Sequence, residues 1–154
     1  MTEFHWNGIR VEVDKPSTQK YYVNYEDWDC SCGHCRNFMT LARAGKLPEG
    51  MLSLLRDLGL PPEKATYVCE LYDQDGKLLY QVDYRLAGRV LGAPELDSVP
   101  MGWGDLWCGQ EVYPCKTPGF PEPHFDLGLF VWLPWVLDEP IEGVPPEGVI
   151  CGEQ

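Results

Sequence analysis

The sequence predicts an α+β fold, mainly an antiparallel sheet with a two-helix insertion packed on one face. Three observations lead to this prediction. Alternating apolar and polar residues occur near both ends of the chain, two stretches of helical periodicity lie between them, and an Asp-Gly turn joins two apolar segments. Strands, then helices, then strands again are typical of α+β proteins and differ from the regular β-α-β alternation of doubly wound folds.

The chain has 154 residues, of which 44% are hydrophobic, and this suits one domain with its own core. We predict a single globular domain over 1–137 and an acidic tail rich in Pro and Gly over 138–154. The longest apolar stretch, 127–137, is shorter than the ~20 residues of a membrane-spanning helix. The N-terminus shows no apolar segment of a secretory signal. We therefore expect a cytoplasmic protein that does not engage a membrane.

The first part of the chain predicts two strands. Residues 8–14 alternate between apolar and charged side chains, as in a half-buried strand. A turn over 15–17 follows. Residues 20–25, with the sequence KYYVNY, are rich in aromatic and β-branched side chains and predict a second strand.

Helical spacing follows these strands. Residues 36–44 place apolar side chains at i, i+3 and i+4, and Gly45 is a suitable end for the helix. A second helix is predicted to begin at Pro48 and to end at Gly59. The two form a short helical hairpin.

The clearest strand pair is a hairpin of residues 66–72 and 78–84 around the Asp-Gly turn. Residues 92–121 contain many Gly and Pro residues and predict a loop around a short strand at 110–113. Residues 124–133 alternate in part and predict a late strand that ends at a proline.

Charge is distributed unevenly along the chain. Residues 1–93 contain 13 acidic and 11 basic residues, whereas residues 94–154 contain 11 acidic residues and only Lys116 as a base. The net charge of −12 argues against direct nucleic-acid binding through a general basic surface. It fits either a solvated acidic surface or an acidic face that docks on a basic protein partner.

Seven cysteines, an odd number, argue against a disulfide framework in a chain without an export signal. Cys30, Cys32 and Cys35 lie close together between a predicted strand and a predicted helix. Zinc takes four ligands in a tetrahedron and suits thiolates, so we predict a structural zinc site at these three cysteines. The fourth ligand is left open among Cys69, Cys108, Cys115, His34 and His124.

Two other interpretations of the cluster stay open. The tetrapeptide Cys-Gly-His-Cys over 32–35 resembles the active site of protein disulfide isomerases, with Cys32 as nucleophile and Cys35 as resolving thiol. The thioredoxin order of a strand, a helix and a cis-proline hairpin after that motif is not seen. In the third interpretation the three thiols line a tight turn as small buried side chains without a function.

Two segments carry a resemblance to a known group of proteins. Residues 29–38, DCSCGHCRNF, fit the pattern D-C-x-C-x-x-C-R-N-F, and residues 133–140 read LPWVLDEP. In this order they resemble segments of small proteins without assigned function from gut Firmicutes and their prophages or mobile elements. The resemblance implies a cytoplasmic, mobile-element protein and brings no activity, cofactor or catalytic residue.

No serine-hydrolase, zinc-protease, phosphate-loop or dinucleotide motif occurs in the sequence. We therefore predict a non-catalytic binding or interaction protein. The alternatives are a thiol-disulfide oxidoreductase that uses the Cys-Gly-His-Cys motif and an acidic inhibitor that imitates nucleic acid toward a host protein.

Overall fold

The computed structural model describes residues 1–95, 98–110 and 116–141 and confirms an α+β fold with a mainly antiparallel sheet. Within those residues there are seven strands and three α-helices. None of these helices is both long and apolar enough to cross a bilayer. The elements are β1 (Thr2–Trp6), β2 (Ile9–Val13), α1 (Lys15–Val23), α2 (Gly33–Arg43), α3 (Glu49–Leu58), a 3₁₀ turn (Pro62–Lys64), β3 (Tyr67–Gln74), β4 (Lys77–Gly92), β5 (Val99–Pro100), β6 (Asp105–Gly109) and β7 (His124–Pro134).

The sheet is built around the long strand β4. Its spatial order is β1-β2-β4-β7-β6-β5, and β3 pairs with β4 beside this path. β7 runs along one edge of β4, and the other edge is shared by β3 and β2. At Gly88 a Cβ atom would lie 2.0 Å from the carbonyl oxygen of Glu12, and φ is +141°. Only glycine lets β4 pass β2 this closely.

One face of the sheet carries the apolar core. The side chains that alternate along β4 on this face pair with apolar partners on β7, and all are almost fully buried. Helix α2 packs on this face through Phe38, whose ring centre lies 6.0 Å from that of Tyr80. The members of this face are Leu78, Tyr80, Val82, Tyr84 and Leu86 of β4 and Phe125, Leu127, Leu129, Val131 and Leu133 of β7.

The predicted hairpin is present, and its turn has the expected geometry. Asp75 and Gly76 have φ values of +53° and +78°, and they connect β3 directly to β4. Positive φ at both positions is typical of the two-residue turn that matches the twist of the flanking strands. The predicted helices correspond to α2 and α3, and the late strand corresponds to β7.

The predicted strand over 20–25 is wrong, because these residues belong largely to helix α1. The carboxylate of Asp14 accepts hydrogen bonds from the Ser17 backbone N–H at 3.1 Å and from its hydroxyl at 2.8 Å. Pro16 lies in the first turn, where no backbone N–H needs a partner within the helix. A strong N-cap thus outweighs the β propensity of the aromatic residues that follow.

Three strands were not predicted. β1 forms a hairpin with β2 through Asn7 and Gly8, both with positive φ. β5 and β6 lie in the stretch that the sequence predicted as a loop. The short strand predicted at 110–113 falls outside the described residues except for Gln110, which is not in a strand.

The opposite face of the sheet contains a buried ion pair. Nε and Nη2 of Arg85 lie 2.9 and 3.1 Å from the two carboxylate oxygens of Asp126, and Nη1 donates to the Thr117 hydroxyl at 2.8 Å. The Asp126 side chain is only 1% exposed. Removing either residue is costly, because the remaining charge would be buried without its partner and without water.

We expect Asp126→Ala to lower the free energy of unfolding by about 3–5 kcal/mol, because it leaves the Arg85 guanidinium buried without this carboxylate. Urea denaturation at neutral pH measures the effect. Glu3→Gln is the matched control, since the Glu3–Arg10 pair is exposed and its loss should leave stability unchanged. An equal effect of both substitutions would contradict the assignment.

Candidate metal centre at the start of helix α2

The structure brings the three predicted cysteines together. The sulfur atoms of Cys30, Cys32 and Cys35 all lie within 4.8 Å of one another, and those of Cys30 and Cys32 are 3.4 Å apart. Zn–S bonds of ~2.3 Å in a tetrahedron place neighbouring sulfurs ~3.8 Å apart. The cluster is therefore suited to hold one metal ion.

The start of helix α2 explains how two of the sulfurs meet. Cys32 is the N-cap residue, and its sulfur accepts a hydrogen bond from the backbone N–H of Cys35 at 3.5 Å. A thiol thus takes the place of the usual serine or aspartate oxygen at this position. Both cysteines thus lie at the N-terminal end of α2, where the helix dipole favours negative charge.

The cysteine cluster is largely buried. Cys35 has no exposed surface, Cys30 is 8% exposed, and Cys32 is half-buried. The hydroxyl of Tyr80 donates to the carbonyl oxygen of His34 at 2.6 Å and so ties the start of α2 to β4. Burial raises the pKa of Tyr80, which keeps this hydroxyl a neutral donor.

The predicted fourth ligand is not found within the described part of the chain. There, no further Cys, His, Asp or Glu side chain joins the three sulfurs. The ring of His34 packs edge-on against Trp135, with 6.2 Å between the ring centres, and that of His124 packs against Phe120. Of the other predicted candidates, Cys69 lies on β3 and Cys108 on β6, and Cys115 lies outside the described residues.

A segment at the end of β7 lies across the first turns of α2, and we call residues 134–139 the strap. The side-chain amide of Asn37 donates to the carbonyl oxygen of Pro134 at 3.0 Å and accepts from the backbone N–H of Val136 at 2.8 Å. The Trp135 indole donates to the carbonyl oxygen of Glu139 at 2.7 Å. One buried side chain on α2 therefore holds the strap by its backbone.

Arg36 connects the strap to the cysteine segment. Its guanidinium forms an ion pair with Glu139, and its Nε donates to the carbonyl oxygen of Ser31 at 3.1 Å. The hydrogen bond from Arg36 holds the pKa of Glu139 below its usual value. The ion pair is therefore fully formed when the pH is above the usual pKa of a carboxyl group. It is lost as the pH falls through the lowered pKa of Glu139.

These contacts join the two sequence segments 29–38 and 133–140. His34, Arg36 and Asn37 of the first segment contact Trp135, Glu139 and the backbone of the second. The predicted tail over 138–154 thus begins inside the strap, and residues 142–154 lie outside the described part. The pattern of residues within either segment does not predict that the two segments are in contact.

No protein-family model, curated protein or solved structure matches this chain. The chemistry assigned to the cluster therefore depends on its own residues and their geometry.

We expect Asn37→Ala to release the strap, because the substitution removes both hydrogen bonds to its backbone. The free energy of unfolding should fall by about 1–3 kcal/mol, and hydrogen exchange at residues 135–139 should accelerate. Thr40→Ala is the matched control on the exposed face of the same helix, where the hydroxyl bonds only the carbonyl oxygen of Arg36. Unchanged exchange in the strap of the Asn37 variant would show that these bonds do not hold it.

We expect Cys108 to resist alkylation in the folded protein. Burial raises its pKa to about 12, so at a pH of about 8 only about one side chain in ten thousand is a thiolate. Peptide mass spectrometry after iodoacetamide treatment measures this, with protein in concentrated guanidinium chloride as the reference. Equal labelling in the two states would contradict the raised pKa of this thiol.

Proposed function

We propose that this chain is a non-catalytic binding protein of the cytoplasm whose cysteine cluster holds a structural zinc ion. The convergence of the Cys30, Cys32 and Cys35 sulfurs within 4.8 Å carries the proposal. Thiolates are favoured zinc ligands, and the reducing conditions of the cytoplasm keep cysteines available as ligands.

The zinc ion would stabilise the segment that leads into α2. Three adjacent thiolates repel one another, and a divalent cation removes this repulsion while it cross-links the chain. The cross-link includes Cys30, next to Ser31, whose carbonyl oxygen accepts from Arg36. Since Arg36 also binds Glu139, the ion would fix the strap indirectly.

A closed zinc site needs a fourth protein ligand in addition to the three sulfurs. A structural zinc site is closed by four protein ligands, whereas a site with three protein ligands retains an open position for water or an incoming group. Cys115 and Cys151 lie outside the described residues and are the two remaining cysteines to test. A loss of zinc on replacing either cysteine would indicate a closed site, whereas unchanged zinc binding would indicate an open one.

The partner that suits this chain is a basic protein. The net charge of −12 attracts cationic surfaces and repels nucleic acid and anionic membranes. Binding through such a field weakens as salt screens the charges. The mobile-element origin implied by the sequence resemblance is compatible with a host protein as this partner.

A second function, thiol-disulfide exchange, is favoured by the position of Cys32 at the N-cap of α2. The Cys32 thiolate would attack a substrate disulfide and release one substrate thiolate. The Cys35 thiolate would then attack the Cys32 sulfur, which forms the Cys32–Cys35 disulfide and releases the second substrate thiolate. The substrate gains two electrons, and the pair of cysteines loses them.

We expect protein purified without a polyhistidine tag to contain about one equivalent of zinc, as a four-ligand site requires. Cys30→Ser should lower the zinc content at least about tenfold, because it removes one of the three thiolates that converge at the site. Cys69→Ser is the matched control, since Cys69 is not part of the cluster. Elemental analysis measures the metal, and less than about a tenth of an equivalent in the unchanged protein would end the zinc proposal.

Alkylation with and without a chelator separates the two functions. Bound zinc protects Cys30, Cys32 and Cys35 together until the chelator removes it. A thiol oxidoreductase instead shows rapid alkylation of Cys32 alone near neutral pH, and its oxidised form contains the Cys32–Cys35 disulfide.

A further inference from the structure

A cleft of about 860 Å³ lies between α1 and the loop that precedes β7, and none of the three cysteines of the cluster lines it. Ser17, Lys20 and Tyr21 of α1 and its C-cap residue Asn24 line it, and their spacing of i, i+3, i+4 and i+7 places them on one side of the helix. The volume lies within the about 300–1,000 Å³ of ligand pockets.

The walls of the cleft are fixed to each other. The Tyr21 hydroxyl donates to the carbonyl oxygen of Pro118 across the cleft at 3.0 Å, and the ring centres of Tyr21 and Phe120 are 4.5 Å apart. Buried Ala65 and Thr66 form part of its inner surface. These contacts form the cleft before any ligand arrives.

Two lysines contribute positive charge to the lining of the cleft. Lys20 lies midway along α1, and Lys116 lies in the opposite loop. Lys116 is the only Lys or Arg in residues 94–154 of the sequence. Neither lysine forms an ion pair with any residue in 1–95, 98–110 or 116–141. Two ammonium groups facing one cleft of a strongly acidic protein suit an anionic group of a ligand.

One end of the cleft, beyond the C-terminus of α1, is negative. Glu26 and Asp29 line it just beyond the C-terminus of α1, where the helix carbonyl groups add partial negative charge. The neighbouring Asp27 is already paired with Arg43 at 3.3 Å. This end therefore suits a cationic group.

Aromatic side chains also line the cleft. Tyr25 and Trp28 line the cleft, and they offer apolar area for a side chain of the ligand. The Trp28 indole N–H is buried and finds no acceptor among the described residues.

We propose that this cleft binds a short peptide with both termini free. Its carboxylate lies between Lys20 and Lys116, its ammonium group lies at Glu26 and Asp29, and its central side chain lies against the Tyr25 and Trp28 wall. An extended tripeptide spans about 10 Å, a length that a cleft of about 860 Å³ accommodates. The site goes beyond the zinc proposal and does not depend on it.

Calorimetry with the tripeptide Ala-Phe-Ala and the full chain tests the proposal. We expect a Kd below about 1 mM. Amidation of the C-terminus and acetylation of the N-terminus should each weaken binding about fivefold, because each removes one charge interaction. A Kd above about 5 mM, or equal binding of the free and doubly capped peptides, would overturn the proposal.

Two double variants test which residues bind each end of the peptide. Lys20→Ala with Lys116→Ala should bind the free and the amidated peptide equally well, and Glu26→Gln with Asp29→Asn should bind the free and the acetylated peptide equally well. Lys46→Ala with Lys77→Ala is the charge-matched control at exposed positions outside the cleft and should retain the full effect of both caps. If the cleft variants keep the effect of the caps, the peptide binds elsewhere and the proposal is wrong.

Discussion

The pairing of β4 with β7 is the constraint on which the rest of the structure depends. Eleven residues of each strand are in register, from Lys77 opposite Pro134 to Ala87 opposite His124. One face of this pair is apolar and receives the helices, and the other face contains the buried ion pair of Arg85 and Asp126. A shift of one residue would exchange the two faces, so both the core and the ion pair specify the same register.

The location of the cysteine cluster follows from this pair of strands. Tyr80 on β4 binds the carbonyl oxygen of His34, and the strap begins where β7 ends. Asn37 then bonds the backbone of the strap from the facing side of α2. Helix α2 is thus held by both central strands, and its N-cap sulfur has a fixed position relative to the sheet.

Local signals predicted more than distant ones. The Asp-Gly turn and the Cys32–Cys35 spacing depend on a few adjacent residues, so the hairpin and the cluster could be read from the sequence. The aromatic residues over 20–25 favour a strand, so the sequence does not predict helix α1 although Asp14 is a suitable N-cap residue. Strand β1 is also not predicted, although Asn7-Gly8 is a hairpin signal. The strap contacts and the cleft join segments about a hundred residues apart, where spacing carries no information.

The segment between α1 and α2 relates the cluster to the cleft. It contains no helix or strand over 25–32, lines the cleft along 25–29 and then supplies the first cysteine at Cys30. Its attachments include the hydrogen bond from the Trp28 backbone N–H to the carbonyl oxygen of Glu63 and the Asp27–Arg43 ion pair. An exposed ion pair holds a loop only weakly. A metal ion at Cys30 would fix the end of this segment without entering the cleft, and a wall ordered in advance lowers the entropic cost of binding a ligand.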